Sequence, residues 1–338
     1  MDGVILNANC LVALKAMPDR CVDMCLTSPP YWALRDYGTE GQIWDGDAAC
    51  QHQWADTNTR MHNGRGDAQK GAKYSEQEPI PDRLISYASC HKCGAWKGPL
   101  GLEPTPELYI KHLCDIFDEV KRVLKPIGTC WVNLGDTHAG KSLCQIPSRF
   151  AIEMTERGWI LRNEIIWHKP NCMPSNVKDR FSGDFEKIFL FAKTKKYHFE
   201  QQFEPLVGSG RSRAEYGRNG DDAERLGERF CKPRGRNKRC VWSIRTRPFK
   251  GTHFATFPAE LCDTPIKAGC PVNGIVLDIF AGAGTTLLVA KKLGRKYIGC
   301  ELNPEYCRMI EERLAGDTPL PPLASTPQES VTRSGSSE

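Results

Sequence analysis

Thr27-Ser28-Pro29-Pro30-Tyr31-Trp32 follows directly on the apolar run Cys21-Val22-Asp23-Met24-Cys25-Leu26. The run reads as a buried strand, and the two prolines stop any further pairing. The strand end then presents a hydroxyl, two stiff carbonyls without competing N–H groups, and an aromatic face at one point in space. That set can hold a planar ring bearing an amine, with acceptors for its hydrogens and a plate to stack on. The plainer alternative is a proline-rich loop end with incidental aromatics.

A second chemical stretch lies some 250 positions on. Ile275-Val276-Leu277-Asp278-Ile279-Phe280 reads as a strand, and Ala281-Gly282-Ala283-Gly284-Thr285-Thr286 turns into a helix ending at Gly294. Glycines let a ligand approach the backbone, and a helix N-terminus supplies free N–H groups. About 20 residues further, Glu301 ends the next strand, where a carboxylate can accept both hydroxyls of a ribose. The dinucleotide fingerprint wants a third glycine at position 287. This chain has Leu287, which disfavours a nicotinamide enzyme.

Gly135-Asp136-Thr137-His138-Ala139-Gly140-Lys141-Ser142 fits a phosphate-loop pattern. A true phosphate loop runs into a helix at its Lys-Ser pair. Pro147 would break the second turn of that helix, so a nucleoside triphosphatase is the weaker reading. Cys90-x-x-Cys93-Gly94 is a tight turn suited to two thiolates on one tetrahedral ion, and Cys50-x-His52 can supply the other two ligands. Four protein ligands predict structural Zn2+ bracing a loop-rich insertion; the alternative is a set of unliganded thiols.

The elements that position these groups alternate in type. Residues 4–32 read as strand, helix, strand. Thr105-Pro106-Glu107 starts a helix carrying Leu113, Phe117, Val120 and Leu124 on one face, and Lys125-Pro126-Ile127-Gly128 stops it. A strand over 129–134, a helix over 147–157, strands near 160–168 and 186–192, and a helix over 304–314 complete the pattern. This predicts an α/β fold of parallel βαβ units with helices on both faces. Residues 1–45, 101–206 and 251–315 form the expected core, and 46–100 the metal-binding insertion. Residues 316–338, rich in Pro, Ser and Thr, are expected to be a disordered tail.

The chain has 338 residues, net charge +5 and 16 cysteines. Residues 207–250 hold thirteen Lys or Arg against five Asp or Glu, a net of +8, so the rest of the chain is net acidic. Arg211, Arg213, Arg234, Arg236, Lys238 and Arg239 in this segment are candidate phosphate contacts; a solvated loop is the alternative. Tyr216, Phe230 and Trp242 read as packing residues. The N-terminus lacks a leader pattern, and no run is long enough to cross a bilayer. The expectation is therefore a cytoplasmic, reduced protein with no membrane partner.

Taken together, these residues resemble the amino-methylating DNA methyltransferases, in the β-type order with the catalytic motif ahead of the cofactor motif. The family's catalytic signature is Asp, Asn or Ser followed by Pro-Pro and an aromatic residue; here it is Ser28-Pro29-Pro30-Tyr31. Its F-x-G-x-G cofactor signature is similar to Phe280-Ala281-Gly282-Ala283-Gly284, and Phe257-Pro258-Ala259-Glu260-Leu261 resembles the motif just before it. Asn163 to Phe191, with Trp167, Lys169-Pro170-Asn171 and Asp179-Arg180, is similar to the family's segment around the target base. Asn9 stands where the family often has an acid, and Ile279 where it usually has Pro.

The resemblance implies a Rossmann-like class I methyltransferase sheet that binds S-adenosyl-L-methionine. Asn9, Thr27, Phe257, Pro258, Glu260, Asp278, Phe280, Gly282, Gly284, Thr285 and Glu301 are the implied cofactor residues. It also implies double-stranded DNA as partner, a bacterial or phage source, and base flipping. A homodimer and a cognate restriction endonuclease are further partners it admits. Ser28 in the first signature position favours N4-cytosine over N6-adenine as target. A ring-carbon methylase is expected to carry Pro-Cys, and the chain has only the reverse order, Cys270-Pro271. An RNA or protein methyltransferase and a non-catalytic zinc DNA-binding protein are alternatives in other classes.

Overall fold

The computed structural model describes residues 3–35, 39, 41–60, 84–204, 235–246 and 257–316. Eight strands form one sheet: β1 (Gly3–Asn7), β2 (Val22–Thr27), β3 (Leu124–Leu134), β4 (Ile160–His168), β5 (Phe185–Ala192), β6 (Val241–Ser243), β7 (Ile275–Asp278) and β8 (Lys296–Glu301). Their spatial order is β1-β8-β7-β2-β3-β5-β4-β6.

Side chains alternate across this sheet. Cys25, Val132 and Leu277 join Leu14, Leu113, Phe117 and Phe150 in one core, under helices α1 (Cys10–Ala16), α2 (Pro106–Val123) and α3 (Ile146–Glu156). Met24, Leu26, Trp131 and Val276 join Leu261, Ile266, Leu288 and Ile310 in the other, under α4 (Ala259–Gly269), α5 (Thr285–Lys292) and α6 (Pro304–Ala315). Burial on both faces explains why β2 is apolar nearly throughout rather than alternating. The predicted helix start is present: Thr105 Oγ1 accepts the Leu108 N–H, and Pro106 opens the first turn.

The strands β1, β8, β7, β2 and β3 run parallel, as expected. β5 does not: it is antiparallel to both β3 and β4. The link between β4 and β5, residues 169–184, contains no helix. A parallel neighbour needs a crossover, whereas an irregular link suffices for an antiparallel one.

Two further departures concern segment boundaries. Gln42–Trp44, Trp54–Arg60, Leu84–Cys90 and Trp96–Gly98 make an antiparallel sheet, so the insertion's structure begins ahead of residue 46. Part of the basic segment belongs to the core. β6 adds to the edge of the large sheet beside β4, and Trp242 and Ile244 are buried there. Arg211, Arg213, Arg234, Tyr216, Phe230 and the tail beyond Gly316 lie outside the described residues. Among the described residues no helix is long and apolar enough to cross a membrane, and every cysteine is free of disulfides.

Candidate active site

The catalytic and cofactor strands are neighbours. Val276 lies opposite Met24 and Leu277 opposite Cys25, in parallel register, so Asp278 and Thr27 end side by side. Their side chains bond directly: Thr27 Oγ1 donates to Asp278 Oδ1 at 2.7 Å, and both residues are buried. Asp278 also accepts the Phe280 N–H at 3.1 Å. Burial raises its carboxyl above the ordinary range, while the Thr27 and Thr286 hydroxyls and the Phe280 N–H partly offset that.

Beyond Thr27 the chain is held as a rigid end. Pro29 is buried, and Ser28, Pro30 and Tyr31 are half-buried. The Tyr109 hydroxyl, on α2, donates to the Pro30 carbonyl at 2.7 Å. Trp32 Nε1 donates to the Glu103 carbonyl at 2.9 Å. The Tyr31 ring lies against the backbone of Gly135, where an added Cβ would stand 2.5 Å from Tyr31 Cε2. Only glycine leaves room for the ring there.

Three polar side chains converge on Tyr31, and of these three only Ser28 belongs to the signature Ser28-Pro29-Pro30-Tyr31 that the sequence marks as catalytic. The Tyr31 hydroxyl donates to Glu186 Oε2 at 2.7 Å and accepts from Asn133 Nδ2 at 2.8 Å. Ser28 Oγ lies 3.3 Å from the same hydroxyl, and Asn133 Nδ2 also reaches Glu186 Oε2 at 2.7 Å. Lys169 pairs with the other Glu186 oxygen, and both side chains are largely sheltered. Asn133 was detectable in principle as the one amide in the apolar run Cys130–Leu134 of β3. Glu186 had no local signal.

Of the residues expected around a cofactor, Gly282 and Glu301 meet directly. Glu301, at the end of β8, accepts the Gly282 N–H through Oε2 and the Asn303 N–H through Oε1, both at 2.8 Å. Burial raises its carboxyl above the usual value, against those two N–H bonds. Gly284 caps α5 with φ near +73°, and a Cβ there would meet Ile310 Cγ2 at 2.8 Å. Only glycine lets the turn take this conformation while packing directly against Ile310 of α6. Thr285 and the half-buried Phe280 flank it. Asn9 serves as the N-cap of α1, accepting the Leu11 N–H at 2.8 Å, so its oxygen is committed to the helix. Phe257 lines a small apolar cleft with Leu26, Thr27, Asn133 and Cys262. Pro258 is the N-cap residue of α4 and Glu260 lies in its first turn.

Cys50, His52, Cys90 and Cys93 gather in the insertion, with their ligand atoms within 4.8 Å of one another. His52 Nδ1 lies 3.4 Å from Cys93 Sγ. Desolvation opposes the Cys90 thiolate, yet the Cys93 N–H and the His52 side chain pull its thiol down to about 5. Three soft thiolates completed by one imidazole fit zinc.

The phosphate-loop and ring-carbon nucleophile readings find no support in the geometry, and the described candidates of the basic segment have partners within the chain. His138–Ala139 and Ser142–Leu143 form a hairpin and α3 starts only at Ile146, so the phosphate-loop match lacks its helix at Lys141-Ser142. Cys270 is fully buried, which pushes its thiol up to about 12. Arg236 and Arg239 both bond Glu204 Oε1, at 2.7 and 2.6 Å, and Lys238 sits over the Trp242 ring at 5.4 Å.

A mixed sheet with a strand-end polar motif beside a glycine turn and a ribose-type acid defines a class I methyltransferase. A family model described as DNA methylase, N6_N4_Mtase, matches residues 22–312, and the chain belongs to that family. It is 32% identical to the type II methyltransferase M.XycI of Xanthomonas campestris pv. cyanopsidis, over 93% of this chain and 88% of that one. It is 30% identical to M.SmaI of Serratia marcescens, over 89% and 87%. The solved PvuII DNA methyltransferase, cytosine-N4-specific, is similar in fold, with 18% identity, a TM-score of 0.59, and coverage of 94% of this chain and 88% of that one. So is a Thermus thermophilus protein solved with S-adenosyl-L-methionine, at 21% identity and a TM-score of 0.52, over 93% of both chains.

Proposed function

We propose that this DNA methyltransferase moves a methyl group from S-adenosyl-L-methionine to the exocyclic N4 amine of a cytosine turned out of double-stranded DNA. The observation that carries the reading is the parallel register of β2 and β7, with the Thr27–Asp278 bond joining the amine-gripping motif to the cofactor turn. When bound, the sulfonium cofactor supplies an electrophilic methyl group. Glu301 accepts the ribose hydroxyls, and Phe280, Gly282, Gly284 and Thr285 border the nucleoside. Asn9, Phe257, Pro258 and Glu260 line the rest of that site, and Thr27 and Asp278 hold the two halves in register.

Tyr31 stacks on the flipped ring, while the Ser28 hydroxyl and the Pro29 carbonyl accept the two amine hydrogens. Those bonds draw the nitrogen lone pair out of conjugation and aim it, so much of the acceleration comes from alignment. Ser28 in the first signature position supports cytosine, as does the likeness to an N4-specific enzyme. Zn2+ on Cys50, His52, Cys90 and Cys93 braces the insertion, with no open position for chemistry. The basic residues of 207–250, Arg211, Arg213 and Arg234 among them, contact DNA phosphates. The type II names of the relatives support a partner restriction endonuclease.

Digestion of DNA treated with the purified protein, followed by mass spectrometry of its nucleosides, tests the reading. N4-methylcytosine is expected. N6-methyladenine would reassign the base, and unmodified DNA would end the proposal.

A further inference from the structure

We infer that Glu186, clamped by Lys169, is a positioning residue that sets the direction of the hydroxyl hydrogen bonds at the catalytic motif. The inference rests on the amine-methylating reading above and extends it to groups outside the signature. An ionised carboxylate only accepts, and a lysine ammonium only donates. With one oxygen of Glu186 taken by Lys169, the other faces Tyr31 Oη at 2.7 Å, so the phenol must point its proton toward Glu186. Asn133 Nδ2, at 2.7 Å from the same carboxylate oxygen and 2.8 Å from Tyr31 Oη, adds a donor on the same side. The phenol oxygen is thereby left as an acceptor toward Ser28.

Ser28 Oγ, 3.3 Å from Tyr31 Oη, then donates its own proton to the phenol. Its lone pairs are turned outward, which is the orientation an amine hydrogen needs. Without the carboxylate the phenol is free to donate to Ser28 Oγ, and it would occupy the acceptor that the substrate requires. Glu186 touches neither the amine nor the methyl group; it acts through Tyr31.

Glu186→Gln reverses the relay. Lys169 claims the single amide oxygen, the NH2 group faces Tyr31 Oη, and the phenol proton swings toward Ser28. The expected result is a fall in kcat of about tenfold, the size of one lost hydrogen bond to a charged group. Affinities for S-adenosyl-L-methionine and for duplex DNA should stay within about twofold on that footing. The discriminating measurement is the same substitution in a Y31F background, which has no hydroxyl to reverse: there E186Q should cost no further kcat. A merely structural role predicts equal losses in both backgrounds, and that outcome overturns the inference, as does wild-type kcat in E186Q. Should E186Q fail to fold by thermal melting, Lys169→Gln loosens the clamp and should lower kcat in the same direction but less. Unchanged kcat in K169Q overturns the clamp. If the unaltered protein transfers no labelled methyl group to DNA, the methyltransferase reading fails instead of the positioning role.

Discussion

The large sheet and the insertion's small sheet are held together by different physics. β2 is buried at all six positions and sits between two cores, so hydrophobic burial, fastened by the Thr27–Asp278 bond, fixes where its end projects. Among the described residues, the four-stranded insertion sheet sends its buried tryptophans into the core beneath α2. Its Trp44 and Trp96 pack down onto α2 and stack on His112, with ring centroids 4.6 and 5.6 Å away. Its far end is gathered by the Cys50, His52, Cys90 and Cys93 cluster. A site on a doubly covered sheet is rigid because of what lies beneath it. A small sheet needs a cross-link to reach the same order.

Metal removal separates the two most sharply. Structural zinc in small modules contributes on the order of 10 kcal/mol or more. Cys93→Ser, or chelation, should therefore release zinc and expose the strands Trp54–Arg60, Leu84–Cys90 and Trp96–Gly98 to limited proteolysis while the core keeps its melting transition. Equal protection of the insertion in metal-free protein would refute the contrast. Next in size, Ser28→Ala should lower kcat by about a hundredfold or more, the scale of a removed transition-state hydrogen bond. Cofactor affinity should hold, measured by calorimetry. Turnover at the wild-type rate would remove Ser28 from its role.

His112 joins the two regions. Its ring nitrogens lie 3.1 Å from Asp45 Oδ2 on the insertion side and 3.1 Å from Glu103 Oε1 on the core side, with Glu103 fully buried. His112→Ala should cost about 3 kcal/mol in denaturant unfolding, because it strands a buried carboxylate. A loss under about 1 kcal/mol would show that the regions are energetically separate. The smallest effect concerns pH. Burial raises the Glu301 pKa, so the ionised form that the proposed ribose contact requires is present above that raised value and is lost as pH falls through it. Cofactor affinity should weaken toward acid with a midpoint above the ordinary carboxylate value of about 4.3. Glu301→Gln should flatten the profile at an affinity about tenfold lower.

The two segments that meet at the candidate site were legible in the sequence because their signals are local. Ser28-Pro29-Pro30-Tyr31 ends a strand by its own prolines, and Gly282, Gly284 and Glu301 lie within one strand–turn–helix–strand unit. The turned-around β5 was not legible as such, because periodicity assigns a strand without its direction. Trp242 was legible as a packing residue, but not that its stretch adds an edge strand to the large sheet and buries Ile244 with it, because the charge signal of the segment carries no pairing information.

The sequence by itself determined which residues could grip an amine, cradle a nucleoside and ligate a metal, since residue type and short spacing carry that chemistry. Only the tertiary structure decided that Glu186 and Asn133 meet Tyr31 across 155 and 102 positions, and that Lys169 locks the carboxylate from β4's end. Contacts between strands far apart in the chain depend on sheet order and register. Those are fixed by how the two cores pack, not by any one segment.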